Sequence, residues 1–169
     1  MADEPHASRP FMPGYGIRGP TQGTGLLPWS WATERLSGSH DYWVATTRSN
    51  GRPHVMPVWG VWWAGALWFS SGLRSRKARN LAANPRCTIT TDNALEPVVL
   101  EGTAATVREA DAIRGFAERL GAKYETDYGV DLFDPDVNGT YRVSPTWVFG
   151  LLESDFEGSP TRWDFALRP

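Results

Sequence analysis

With 169 residues, 41% of them hydrophobic, and a formal charge of −2, the chain is long enough for one domain with a real core and too short for two comfortable ones. The charge balance argues against a general nucleic-acid binder, which needs a large basic excess. No run of about 20 apolar residues is present to span a membrane, and the opening MADEPHASRPFMPGYG lacks the apolar core of a signal peptide.

A single cysteine, Cys87, leaves no internal disulfide or cysteine-based zinc site and fits a reducing cytoplasm. Nine tryptophans are a heavy aromatic load of the kind that serves an apolar face with something flat or polar to hold.

Residues 1–27 are rich in Gly and Pro without apolar periodicity and are expected to form a flexible arm; residues 28–169 form the single domain. PWSWATERLSG, from Pro28, predicts a first helix, with Trp29, Ala32 and Leu36 at helical spacing and Gly38 as its stop. YWVATT then predicts a strand, NGRP (Asn50 to Pro53) a hairpin turn, HVMPVWGVWW a second strand, Ala64-Gly65 another turn, and ALWFSS a third. Pro57 in the middle of the second strand requires an edge or a bulge, because it cannot donate a ladder hydrogen bond.

A short basic helix follows, with Ser75 as N-cap and Asn84-Pro85 as its end, and then the strand CTITT. PVVLEGTAATV predicts a long strand with Gly102 as a bend or bulge. From Glu109 to Lys123, the apolar set Ile113, Phe116, Ala117 and Leu120 predicts a second long helix. A polar loop runs through Gly139. In the last long strand, YRVSPTWVFGLL, alternation puts Tyr141, Val143, Trp147, Phe149 and Leu151 on one face. TRWDFAL is expected to add a short final strand. About six antiparallel strands with helices inserted between them make a mainly β small barrel.

Four cations in six positions, Arg74 to Arg79, surround the start of the basic helix. The cap puts Arg76 and Lys77 in the first turn, where the helix N-terminus already carries about half a positive charge. Cations there are unfavourable until an anion arrives. Then the free N–H groups, the Ser75 hydroxyl, a guanidinium and an ammonium converge on a phosphate or carboxylate. The bland alternative is a solvated charged face.

DYWVATTRSNGRPHVMPVWGVWWAGALWFSSGLRSRKARNLAANPRCTIT resembles the split-barrel flavin and deazaflavin oxidoreductases, the pyridoxamine 5′-phosphate oxidase-like superfamily. The likeness rests on G-R-P-H-x-x-P-V, the third strand ending in small polar residues, S-R-K-A-R-N-L and N-P-R, and covers roughly residues 29–163. It implies an FMN-binding split β-barrel, and a homodimer with two cofactors in grooves at the subunit interface. Arg76 and Lys77 match the pair gripping the cofactor phosphate, aided by Ser75. Ser70 and Ser71 match the small polar strand end, and Met56, Pro57, Val58 and Trp59 the strand lining the ring. Trp147 is assigned to cover the ring, from the same or the other subunit.

The spelling looks closer to the actinobacterial branch using the deazaflavin F420. That implies a cytoplasmic F420-dependent oxidoreductase passing a hydride between reduced cofactor and a small organic substrate, with no nucleic-acid or membrane partner. An FMN-dependent oxidase or reductase, and a non-catalytic binder of cofactor, haem or apolar ligand, are the alternatives on the same fold. The C-terminal FEGSPTRWDFALRP offers only Arg162 and Arg168 for a substrate phosphate.

Of the three histidines, His6, His40 and His54, none has metal-ligand spacing. His54 stands directly before the ring-lining strand, within reach of a ligand. No catalytic acid, base or nucleophile is assigned, since the cofactor carries hydride chemistry. Cys87 is expected to be a buried small hydrophobe, and Asp127, Asp131, Asp134 and Asp136 to be solvated surface.

Overall fold

A computed structural model of the chain describes residues 4–127 and 133–165. The expected loop positions 128–132, Asp131 among them, and the last residues of the tail, Arg168 included, lie outside the described residues.

Strands β2 (Asp41–Thr47), β3 (Pro53–Trp63) and β4 (Ala66–Gly72) form the expected meander. After the helix α2 (Arg76–Ala83), β5 (Arg86–Thr91) pairs with β2, and β6 (Val98–Val107) pairs with β5. The long strand β7 (Asn138–Gly150) bonds to β4 on one side and β6 on the other, closing an antiparallel barrel in the order β7-β4-β3-β2-β5-β6. Closure removes most of the exposed ladder edges that an open sheet presents.

Alternation fills the barrel. Tyr42, Val44, Leu67, Phe69, Ile89, Leu100, Val143 and Val148 point inward and are buried. Helix α1 (Trp29–Gly38) adds Ala32 and Leu36 to this core. Helix α3 (Ala110–Tyr124) uses the expected face: Phe116 and Leu120 are buried against Val61, Trp68 and Phe133 in a second cluster outside β3 and β4. Each such fully buried side chain contributes about 1.5–3 kcal/mol. The end of α3 is tied down by Lys123, whose Nζ donates to the Gly60 carbonyl (2.9 Å) and the Tyr42 hydroxyl (3.0 Å). Burial pushes the Lys123 ammonium down to about 8.

Pro57 sits where its chemistry demands. β3 pairs with β2 from Pro53 to Trp59, but with β4 only from Gly60 to Trp63. The first half of β3 therefore has one edge free of strand pairing, and a residue without N–H disrupts no ladder there.

Two findings differ from the sequence expectation. The arm contains a strand, β1 (His6–Ser8), paired antiparallel to β8 (Thr161–Asp164), which itself lies along β7. Arg9 then donates to the carbonyls of Pro160 (2.7 Å), Gly158 (2.8 Å) and Gly19 (2.9 Å), seating the arm against the barrel.

The second is a correction in β7. Tyr141 and Val143 face inward, but beyond Pro145 the inward residues are Val148 and Gly150, so Trp147 and Phe149 fall on the opposite face. The register skips at Glu101/Gly102, leaving Thr146 as the extra residue of a bulge, its hydroxyl donating to the Glu101 carbonyl. A bulge shifts the period of two by one residue and flips every side chain beyond it. Gly102 permits the close approach: a Cβ there would stand 2.4 Å from the Ser144 carbonyl oxygen.

Candidate functional site

The end of β4 and the start of α2 form one polar corner. The Ser75 hydroxyl accepts from the Ala78 N–H (3.1 Å) as the expected N-cap, and lies 3.0 Å from the Ser71 hydroxyl. Lys77 Nζ donates to Ser71 Oγ at 3.2 Å. Burial lowers the Lys77 ammonium from its usual range, so an anion beside it would restore what desolvation removes. Ser70 is turned away, donating to the Gly139 carbonyl (3.3 Å). Arg76 opens the helix. None of the ion pairs among the described residues involves Arg48, Arg52, Arg74, Arg76, Lys77 or Arg79.

The hairpin between β2 and β3 brings two further groups that the sequence reading left out of the binding set. Arg48 follows the last residue of β2, and Gly51, at φ +81°, allows the turn that carries the chain back to His54. Arg48 Nε and His54 Nδ1 are both shielded from solvent with no hydrogen-bond partner. Burial and then the charges of Arg48, Lys77 and Arg76 hold the His54 imidazolium below its usual range. The clustering was foreshadowed only by T-R-S-N-G-R-P-H, a turn flanked by cations.

Next to this corner runs the free edge of β3. Met56, Pro57 and Trp59 are exposed, whereas Val58 is buried in the barrel and serves as a core residue. Trp59 lies flat on Tyr124, with ring centres 4.5 Å apart and planes 10° from parallel. On the outer face of the sheet Trp43 is paired with Pro57, extending the apolar surface. Trp43, Val55, Met56 and Trp59 are each 42–49% exposed in the single chain.

Trp147 is not part of the corner. Its Nε1 donates to Glu101 (2.9 Å), and the Arg162 guanidinium sits 5.1 Å from its ring. Between it and the hairpin, a groove of about 580 Å³ crosses β2, β5 and β6, with Thr47 and Pro53 at one end and Thr146 at the other. Glu101 both lines this groove and holds Trp147. Cys87 is buried and its thiol is pushed up to about 12 by desolvation.

The corner supplies orphaned polar atoms and cations without an ion pair among the described residues, and the strand edge an apolar wall. Together they suit a phosphate-bearing molecule with a flat heterocycle. An F420 reductase structure superposes with a TM-score of 0.56 at 25% identity, covering 68% of this chain and 93% of its own. A conserved hypothetical protein from Mycobacterium tuberculosis gives 0.63 at 20% identity over 82% of this chain and 85% of its own. The haem storage protein of Vibrio cholerae gives 0.53 at 20% identity over 69% and 86%. The latter two likenesses concern the fold alone. No curated protein matches the chain. Residues 32–148 match the family described as pyridoxamine 5′-phosphate oxidase, and on that match over most of its length the chain belongs to this family.

Proposed function

We propose that the chain is an F420-dependent oxidoreductase that passes a hydride between the reduced deazaflavin and a small organic substrate. The observation that carries this reading is the corner of cations at the start of α2, which make no ion pair among the described residues, beside an exposed apolar strand edge. Similarity to the F420 reductase supports the choice of cofactor.

In this reading Arg76 and Lys77 bind the cofactor's phosphate, with the Ser75 hydroxyl and the N-terminal N–H groups of α2 completing the cradle. Met56, Pro57 and Trp59 shield one side of the ring from water, and the open edge of β3 offers backbone groups to its polar rim. Ser71 holds Lys77 in place. When bound, the cofactor supplies the hydride chemistry; the chain's work is binding, orientation and exclusion of solvent. A second copy of the chain covers the exposed face at Trp43, Val55 and Trp59, since an apolar patch of this kind on a lone chain favours association. Trp147 then serves across that interface.

The test is a tryptophan-fluorescence titration of the purified chain with F420 and with FMN, with sedimentation to read the oligomer. Micromolar or tighter F420 binding by a dimer, with much weaker FMN, is the expected result. Preference for FMN would shift the protein to the flavin oxidases, and haem binding without turnover would make it a carrier.

A further inference from the structure

Strand β3 changes partner between two residues. Trp59 is the last to pair with β2, opposite Asp41, and Gly60 the first to pair with β4, opposite Phe69. The C-terminal turn of α3 grips the chain at this point. Lys123 Nζ donates to the Gly60 carbonyl (2.9 Å), and the Gly60 N–H donates to the Tyr124 hydroxyl (3.0 Å), which itself donates to the His40 carbonyl. The His40 ring stands edge-on to Tyr124, with centres 5.1 Å apart and planes at 80°. Tyr124 is thus held by its hydroxyl as well as by its helix. Against this fixed ring lies the Trp59 indole, 4.5 Å away and within 10° of parallel.

We propose that Tyr124 is a positioning residue, holding the Trp59 indole in the orientation in which it forms a flat wall for the cofactor's ring. This rests on the proposed function, which gives Trp59 that task, and adds a residue outside the anion corner that governs affinity for the heterocycle alone. A tryptophan 42% exposed on a strand edge has several staggered rotamers open to it. A ligand that needs one of them must order the side chain as it binds, at a cost in affinity. Contact with a tyrosine that cannot turn selects one rotamer in advance. The phosphate end gains nothing from this, because Ser75, Arg76 and Lys77 belong to the start of α2 and Tyr124 to the end of α3.

The test is a double-mutant cycle with Trp59→Leu, Tyr124→Leu and their combination. F420 affinity is read by fluorescence titration and inorganic phosphate affinity by calorimetry. Tyr124→Leu is expected to weaken F420 binding about three- to tenfold, the worth of an aromatic pair, and to leave phosphate binding unchanged. In the Trp59→Leu background the same substitution should have no further effect, since no indole remains to be held. Tyr124→Phe keeps the ring and loses the hydroxyl bonds, so it should lower the melting temperature yet recover most of the F420 affinity. The near-ultraviolet circular dichroism of the stacked pair, taken as the difference from Trp59→Leu, should persist in Tyr124→Phe and vanish in Tyr124→Leu.

Unchanged F420 affinity in Tyr124→Leu, an equal loss in both backgrounds, or an equal loss of phosphate binding would overturn the inference and leave the proposed function standing. F420 bound as well by Trp59→Leu as by the unaltered chain, or bound by neither, would remove the wall and this inference together. If Tyr124→Leu does not fold, Tyr124→Met, which keeps bulk against the indole without a flat ring, takes its place in the cycle.

Discussion

Where the arm meets β8, Arg9 binds the Gly158, Pro160 and Gly19 carbonyls, Arg18 pairs with Glu157, and the Asp155 carboxylate accepts from the Thr24 N–H (2.6 Å) and hydroxyl (2.7 Å). Near the start of α2, Arg48, Arg76 and Lys77 all act on His54, and none of the ion pairs among the described residues involves them. Both regions are rich in arginine and close to glycine turns. In the first, charges are matched within the chain and the result is attachment of a segment. In the second no carboxylate of the described residues pairs with them, a balance that is unfavourable for folding alone and favourable for binding an anion. The same residue types are structural or functional according to whether the fold completes their partners.

The contrast is sharpest at Arg76. Arg76→Ala is expected to weaken F420 binding by about 1.5–3 kcal/mol, the range for hydrogen bonds to charged groups, while leaving the melting temperature nearly unchanged. Isothermal calorimetry with thermal unfolding checks both halves, and an unchanged affinity would place the phosphate elsewhere.

Arg9→Ala should show the reverse pattern. Loss of its carbonyl contacts should lower stability by about 1.5–2 kcal/mol, read by denaturant unfolding, with F420 affinity unaltered. A large loss of affinity would mean that the arm shapes the binding site.

Ser75→Ala bridges the two patterns, because the same hydroxyl caps α2 and faces the anion. A stability loss of about 1 kcal/mol is expected from the cap, together with weaker binding; a change in only one would separate the roles.

The smallest effect is at Asp155. The Thr24 N–H and hydroxyl bonds hold its carboxyl below the usual range. The folded form thus gives up the proton more readily than the unfolded chain. Its stabilising contribution is complete above the unfolded-state value and is lost as pH falls through the lower folded-state value. Asp155→Asn should therefore flatten the acid limb of a melting temperature–pH profile without touching the clamp.

Much of the barrel was legible because its signals are local. Turn residues at Asn50–Pro53 and Ala64-Gly65 punctuate β-rich runs, and the Phe116/Leu120 stripe has a helical period. The Ser75 cap and the position of Arg76 and Lys77 in the first turn could be read directly. The short strand His6–Ser8 could not, since nothing in three residues announces pairing with Arg162 to Asp164 at the other end of the chain. Nor could the orientation of Trp147, where simple alternation carried it to the wrong face.

By itself, then, the sequence determined the order of the barrel strands and helices, an edge or a bulge at Pro57, and a helix start crowded with cations. These follow from backbone and side-chain preferences that act within a few residues. Only the tertiary structure decided that Arg48 and His54 join that cluster, that Val58 belongs to the core, and that Thr146 bulges to turn Trp147 outward. The physical reason is that burial, and the partners a polar atom finds, depend on which distant strands pack together. A register shift of one residue, permitted by the bare Cα of Gly102 against Ser144, is enough to reverse a face that a period of two would predict.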